Sequence, residues 1–133
     1  MNITLNKENK IELIYKEESY KIIGACMEVH KILGRGFAEI VYKDALEYEF
    51  KQREIPYERE KGFIIKYKDT ILPREFYADF ILYDKIILEV KAAEEIISGF
   101  RRQTLNYMKI TKFKLGILAN FGEDSFNYQR LVL

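Results

Sequence analysis

Apolar and polar positions recur along this chain with two periods, and the change from one to the other divides it into helices and strands. Over residues 17–33 the apolar positions follow helical spacing, with Ile22, Cys26, Val29 and Leu33 on one stripe, and Gly34 and Gly36 end the run. A second helix is predicted over 37–53. Residues 63–67 and 71–72 read as a hairpin turning at Lys68-Asp69. Two apolar stretches of strand composition follow, 75–83 and 86–91, and after them a helix over 99–109. Residues 115–120 form a short apolar run suited to a buried strand, and 126–133 a final, more exposed one. No repeat, low-complexity tract or linker interrupts this order, and Pro56 and Pro73 punctuate elements rather than separate domains. The pattern predicts an α/β fold, a mixed sheet flanked by helices, as one domain over 1–133.

The strands at 75–83 and 86–91 carry charges that folding does not require. Asp79 lies inside the first, and Glu89 and Lys91 lie inside the second. Successive strand residues alternate between faces, so Tyr77, Asp79, Ile81 and Tyr83 share one face, as do Ile87, Glu89 and Lys91. Ionised groups on half-buried strands are costly unless paired or bound to a cation. A hard cation such as Mg²⁺ takes oxygen ligands, and beside a phosphoryl group it polarises the phosphorus centre and helps to activate water. Asp79 and Glu89 would hold the cation, with Lys91 placed to orient water or stabilise developing charge. The competing reading is a hairpin in which Asp79 and Lys91 form a salt bridge and Glu89 is solvated. Register tests the idea: a two-residue turn at Asp84-Lys85 would set Asp79 against Val90. A three-residue connection or a bulge would set it beside Glu89.

Composition narrows the class. The chain has 133 residues, 48% of them hydrophobic, enough for a packed core. No apolar run reaches the length of a membrane span and the first residues lack the apolar core of a secretory signal, so a cytoplasmic location is expected. One cysteine and one histidine exclude an internal disulfide and a Cys/His zinc cluster, and Cys26 lies on an apolar stripe as a core thiol. Net charge is only +1, but Arg101, Arg102, Lys109, Lys112 and Lys114 fall between Gly99 and Lys114 with no acid among them. Arg101, Arg102 and Lys109 are candidates for contacts to backbone phosphates; complementing a helix C-terminus is the alternative for the lysines.

The run Gly36-Phe37-Ala38-Glu39-Ile40-Val41-Tyr42, preceded by His30, Leu33 and Gly34, resembles the naming motif of the GxxExxY proteins of the PD-(D/E)XK nuclease superfamily. Ala78-Asp79 followed by Glu89-Val90-Lys91 resembles the superfamily core, with alanine where its name has proline. Gln103 and Tyr107 are similar to the QxxxY element of its exonuclease branch. The resemblance runs over nearly the full length and implies a PD-(D/E)XK nuclease-like fold and a metal-dependent nuclease. Glu39 would be the helical acid of the site. By spacing it leads the stripe Tyr42, Leu46, Phe50 and points inward, and at N3 after a Gly36 N-cap it would also suit the helix dipole. Gln103 and Tyr107, four apart, share a helix face and can serve a site without adding charge. His30, on a stripe with Ile23 and Met27, is a packing histidine by default and a residue near substrate by the resemblance.

The expected function is therefore a Mg²⁺- or Mn²⁺-dependent phosphodiesterase acting on nucleic acid, DNA ahead of RNA. Asp79, Glu89 and Glu39 would organise the metal and Lys91 would assist water attack. The alternative is a catalytically silent nucleic-acid-binding or protein-interaction subunit on the same fold. No specificity element is visible in the sequence; a domain this small is compatible with work as an oligomer or beside a protein partner, and the sequence identifies neither.

Overall fold

The fold is given by a computed structural model that describes residues 3–5 and 11–133. Strands β1 (Ile3–Leu5) and β2 (Ile11–Leu13) form a small antiparallel pair ahead of helices α1 (Lys16–Leu33) and α2 (Glu39–Gln52). Strand β3 (Tyr57–Phe63) leads into the short hairpin β4 (Lys66–Tyr67) and β5 (Thr70–Ile71), then β6 (Phe76–Leu82) and β7 (Ile86–Lys91). Helix α3 (Ser98–Thr111), β8 (Leu115–Asn120) and β9 (Asn127–Val132) complete the chain. The main sheet has the order β3-β6-β7-β8-β9. Only β7 and β8 run parallel, and α3 is the crossover between them.

The helices cover both faces of this sheet. Ile22, Cys26 and Val29 of α1 and Tyr42, Leu46 and Phe50 of α2 pack on Phe80, Leu82, Leu88, Val90 and Ile117. On the other face Met108, Leu105 and Tyr107 of α3 pack on Phe76, Ala78, Ile81 and Ile87. Covering on both sides is what the continuous apolar runs of β7 and β8 require, and all six residues of β8 are buried. Cys26 is fully buried and burial pushes its thiol pKa up, so it is the core thiol its stripe predicts. Among the described residues no helix is long and apolar enough to cross a membrane.

The β6–β7 connection decides where the acids fall. Tyr83 and Asp84 both adopt left-handed backbone, with φ of 54° and 58°, and the Lys85 N–H donates to the Leu82 carbonyl at 3.1 Å. Leu82 then pairs with Ile86, leaving three residues in the loop, the longer connection that the site demands. Lys85 ties the turn to α1, its ammonium 2.6 Å from Glu18 and 4.2 Å from the Tyr15 ring centroid.

Candidate active site

Asp79 and Glu89 are locked together through the backbone. The register Phe80 with Leu88 and Ile81 with Ile87 brings Asp79 opposite Glu89. Beyond Phe80 the side chains take over the ladder: the Asp79 N–H donates to Glu89 Oε2 at 2.9 Å, and the Val90 N–H donates to Asp79 Oδ2 at 2.8 Å. A carboxylate that accepts a backbone N–H is a charge-assisted partner, so each acid replaces a sheet bond while keeping its other oxygen for something else. Glu89 is only 3% exposed. Burial and the neighbouring Asp79 charge push its pKa up to about 8, against the backbone bond from Asp79 and the charges of Lys91 and Lys43.

Lys91 extends from the end of β7 toward α3. Its Nζ donates to Gln103 Oε1 at 3.2 Å and lies 4.8 Å from the Phe100 ring centroid, so an amide and a ring face hold the ammonium. Tyr107, one turn beyond Gln103, stacks on Phe76 with centroids 4.1 Å apart and planes 10° apart. Burial raises its pKa, as do the charges of Glu89 and Asp79, while a hydrogen bond with Gln103 opposes them. The phenol therefore stays protonated beside the acids, able to donate. Gln103 thus lies against Lys91, and Tyr107 lies near enough to Glu89 and Asp79 to feel their charges.

From the opposite face α2 supplies a residue that the sequence reading missed. Lys43 Nζ lies 3.0 Å from Asp79 Oδ1 and also pairs closely with Glu60 of β3, and the residue is 9% exposed. Burial works against its charge, but the hydrogen bonds to Glu60 and Asp79 hold its pKa above the ordinary lysine value. Nothing in its spacing marks Lys43 as inward-facing except its place beside Tyr42 and one turn before Leu46.

Glu39 does not face the core. Ala38, not Gly36, is the N-cap of α2, so Glu39 is the first residue of the helix rather than the third, and it is exposed. The inward stripe begins at Tyr42, because the phase of the helix is set by where the chain enters it. Glu39 precedes Lys43 by four residues and so lies on the same side of α2, above the lysine that reaches Asp79.

Tyr42 is a structural residue. Its hydroxyl donates to the Gly34 carbonyl at 2.7 Å and accepts the Phe37 N–H at 3.2 Å, and its ring stacks on Phe121 with centroids 4.8 Å apart. It fastens the loop between α1 and α2, where Gly34 and Gly36 take positive φ of 68° and 109° that other residues rarely adopt. Tyr42→Phe is expected to destabilise the protein by roughly 0.5–1.5 kcal/mol, the net worth of a hydrogen bond whose partners stay partly open to water, with divalent-cation affinity unchanged. Urea unfolding and calorimetric titration of the variant check both halves.

His30 packs. Its Nε2 donates to the Glu123 carbonyl at 2.9 Å, and its ring lies 6.3 Å from both Phe121 and Phe126, on the α1 side of the sheet. Arg101, Arg102 and Lys109 are all exposed on α3. Arg102 and Lys109, seven apart, share one line of the helix; Arg101 lies off it, and Gln103 and Tyr107 occupy another side. Asn120 is a further residue the sequence did not flag. Buried at the end of β8, it accepts the Ala93 N–H and donates to the Ala93 carbonyl, each at 2.9 Å, clamping the segment that leaves Lys91.

A mixed sheet with two acids and a lysine on adjacent central strands can be compared with known families. Residues 16–131 match the sequence model of the PD-(D/E)XK nuclease superfamily. The chain belongs to that superfamily. The crystal structure of SSO0001 has the same fold, with a TM-score of 0.57 and 19% identity over 89% of this chain. The alignment covers 58% of that protein, so this chain spans a little over half of it. No curated protein matches the chain.

PD-(D/E)XK nucleases typically use divalent metals, and the donor set here fits one. Mg²⁺ is commonly held by one or two carboxylates with water and phosphate oxygens completing its shell, which is the chemistry Asp79 and Glu89 offer. Among the described residues no group of three His, Cys, Asp or Glu side chains converges to hold a metal, so protein ligation would come from this pair. Burial first and the Asp79 charge second raise the Glu89 pKa, and a dication beside the two carboxylates would favour the ionised form.

Proposed function

We propose that this protein is a metal-dependent nuclease of the GxxExxY type, hydrolysing phosphodiester bonds of nucleic acid, DNA ahead of RNA, in the cytoplasm. The observation that carries the proposal is the interlocked pair Asp79 and Glu89, with Lys91 two residues further on and held by Gln103. Superfamily membership makes a nuclease the natural reading of such a pair.

Asp79 and Glu89 would hold the cation, Mg²⁺ or Mn²⁺, with Glu39 of α2 as the third acid proposed to serve it. Bound there, the cation supplies Lewis-acid polarisation of a phosphoryl oxygen and lowers the pKa of water. Lys91 orients the attacking water and stabilises charge on the phosphorane oxygens, and Gln103 keeps the ammonium in place. Tyr107 donates its phenol hydrogen to a phosphate oxygen. The water oxygen bonds to phosphorus and gives up one proton to solvent, the opposite ester P–O bond breaks with its electron pair on the departing oxygen, and that oxygen takes a proton from solvent. His30 stands behind this machinery as packing.

Lys91→Ala is expected to lower turnover by about 10²- to 10³-fold, the usual loss for one electrostatic stabiliser, with metal affinity retained. Arg101, Arg102 and Lys109 are proposed to follow the nucleic-acid backbone. Replacing them with glutamine should flatten the log–log salt dependence of binding by about 0.7 to 0.9 per contact on every sequence alike. If Lys109 serves only the helix end, Lys109→Gln instead costs about 0.3–1 kcal/mol of stability and leaves affinity alone. The proposal as a whole is tested by incubating purified protein with labelled linear, circular and single-stranded DNA and RNA in Mg²⁺, Mn²⁺ or EDTA. Cleavage in either metal and none in EDTA is the expected result; cleavage that survives EDTA contradicts it.

A further inference from the structure

We propose that Lys43 is a resident counter-cation of the metal site, and that Glu60 is the berth to which it withdraws when a divalent cation takes Asp79. The inference rests on the metal-site reading above and concerns how that site controls metal binding. Lys43 Nζ is within hydrogen-bond distance of Asp79 Oδ1 and also pairs with Glu60 Oε1. The lysine side chain is 11% exposed, that of Asp79 17% and that of Glu60 47%. The ammonium is thus shared between one enclosed carboxylate and one that opens toward solvent.

The charge balance explains why two acids flank one lysine. Asp79, Glu89 and Glu60 together with Lys43 and Lys91 sum to one negative charge when all are ionised. A dication reverses that sign, and a bound phosphodiester then returns the site to neutrality. Without Lys43 the same residues would hold a dication more tightly and meet an anionic substrate with less positive charge. Without Glu60 the ammonium has no second partner and stays on Asp79. Lys43 is therefore a positioning residue that sets metal affinity.

Glu60 is held in place for this role by its backbone. It has a φ of 54° in the middle of β3, and its neighbours Arg59 and Lys61 pair with Phe80 and Ala78 on either side of Asp79. A non-glycine residue in left-handed backbone inside a strand is strained, and such strain persists only where surrounding structure fixes it. Here it coincides with the residue opposite Asp79.

The test is calorimetric titration of Mn²⁺ into the metal-free protein, without nucleic acid, so that the readout is affinity rather than turnover. Lys43→Met is expected to bind Mn²⁺ about ten-fold tighter or more, the scale on which one nearby charge moves a carboxylate equilibrium. Glu60→Gln is expected to bind several-fold more weakly. In the Lys43→Met background the Glu60→Gln effect should largely vanish, because the berth has no occupant; a Glu60 that acts only through its own charge would weaken binding equally in both backgrounds. Should Lys43→Met unfold, the same pair of titrations is made in Lys43→Gln, which removes the charge but keeps a polar head for Asp79, with the same tightening expected and the same outcome overturning the inference. Mn²⁺ affinity unchanged or weakened in folded Lys43→Met overturns the inference while leaving the metal site intact. Absence of Mn²⁺ binding in wild type and Lys43→Met alike overturns both, and binding only in Lys43→Met supports displacement in its strongest form.

Discussion

Asp79→Asn is expected to remove metal-dependent cleavage by at least about 10³-fold, the scale of a lost metal ligand worth several kcal/mol at the transition state. The substitution keeps an oxygen that can accept the Val90 N–H, so the strand junction survives, but it withdraws the charge that pairs with Lys43. The expected cost in stability is roughly 1–3 kcal/mol, below the cost of stripping a partner from a fully buried pair because Lys43 retains Glu60. Asp79→Ala costs more, since the Val90 amide then has no acceptor. From sequence alone an alanine at this position would be expected to spare stability by relieving a crowded ionic site. The structure reverses that expectation because the carboxylate is part of the β6–β7 junction. Cleavage assays on refolding-competent Asp79→Asn, with unfolding curves beside them, separate the two effects.

Glu89→Gln is expected to make the metal-free protein more stable than wild type at alkaline pH and to leave it nearly unchanged in acid. The folded pKa of Glu89 is near 8, above the ordinary value of 4.5, so the native state holds this proton more firmly than the unfolded chain does. Its stabilising contribution is complete below the unfolded pKa, is lost as pH rises from about 4.5 to about 8, and changes no further above that. The slope over that window is at most about 1.4 kcal/mol per pH unit, so the total difference is of the order of a few kcal/mol. Glutamine retains an oxygen for the Asp79 N–H but cannot titrate. Urea unfolding of both proteins in EDTA, from pH 5 to 9, should give curves that diverge with rising pH. Saturating Mg²⁺ should improve wild type selectively. Parallel curves in EDTA would mean that Glu89 is not held in the protonated form.

Much of this site was legible in the sequence because strand chemistry is restrictive. Asp79 and Glu89 stood out as ionised residues inside apolar strands, and parity called for either a three-residue loop or a bulge, of which Tyr83, Asp84 and Lys85 form the loop. The three long helices followed from apolar spacing. β3 was not seen because Glu58, Arg59, Glu60 and Lys61 give it the composition of a solvated segment, as suits an edge strand. That omission hid the neighbour of Asp79. Lys43 was missed for a related reason: a lysine on an amphipathic helix is normally solvated, and only the tertiary placement of Asp79 and Glu60 draws it inward. Glu39 was placed inward because the stripe was extended back by one turn; the helix begins later, and the chain approaches it through an extended Ala38. Strand order lies beyond any local pattern, since it is set by the α3 crossover and by which faces the helices cover.

The central claim is that Asp79 and Glu89 together hold the metal that serves hydrolysis, and it is tested most directly by anomalous scattering from a crystal soaked in Mn²⁺. The account predicts a peak between β6 and β7 at about 2.0–2.2 Å from a carboxylate oxygen of each acid, with Lys43 drawn toward Glu60. A well-occupied peak that touches neither acid, or none at a concentration that supports cleavage in solution, would contradict it.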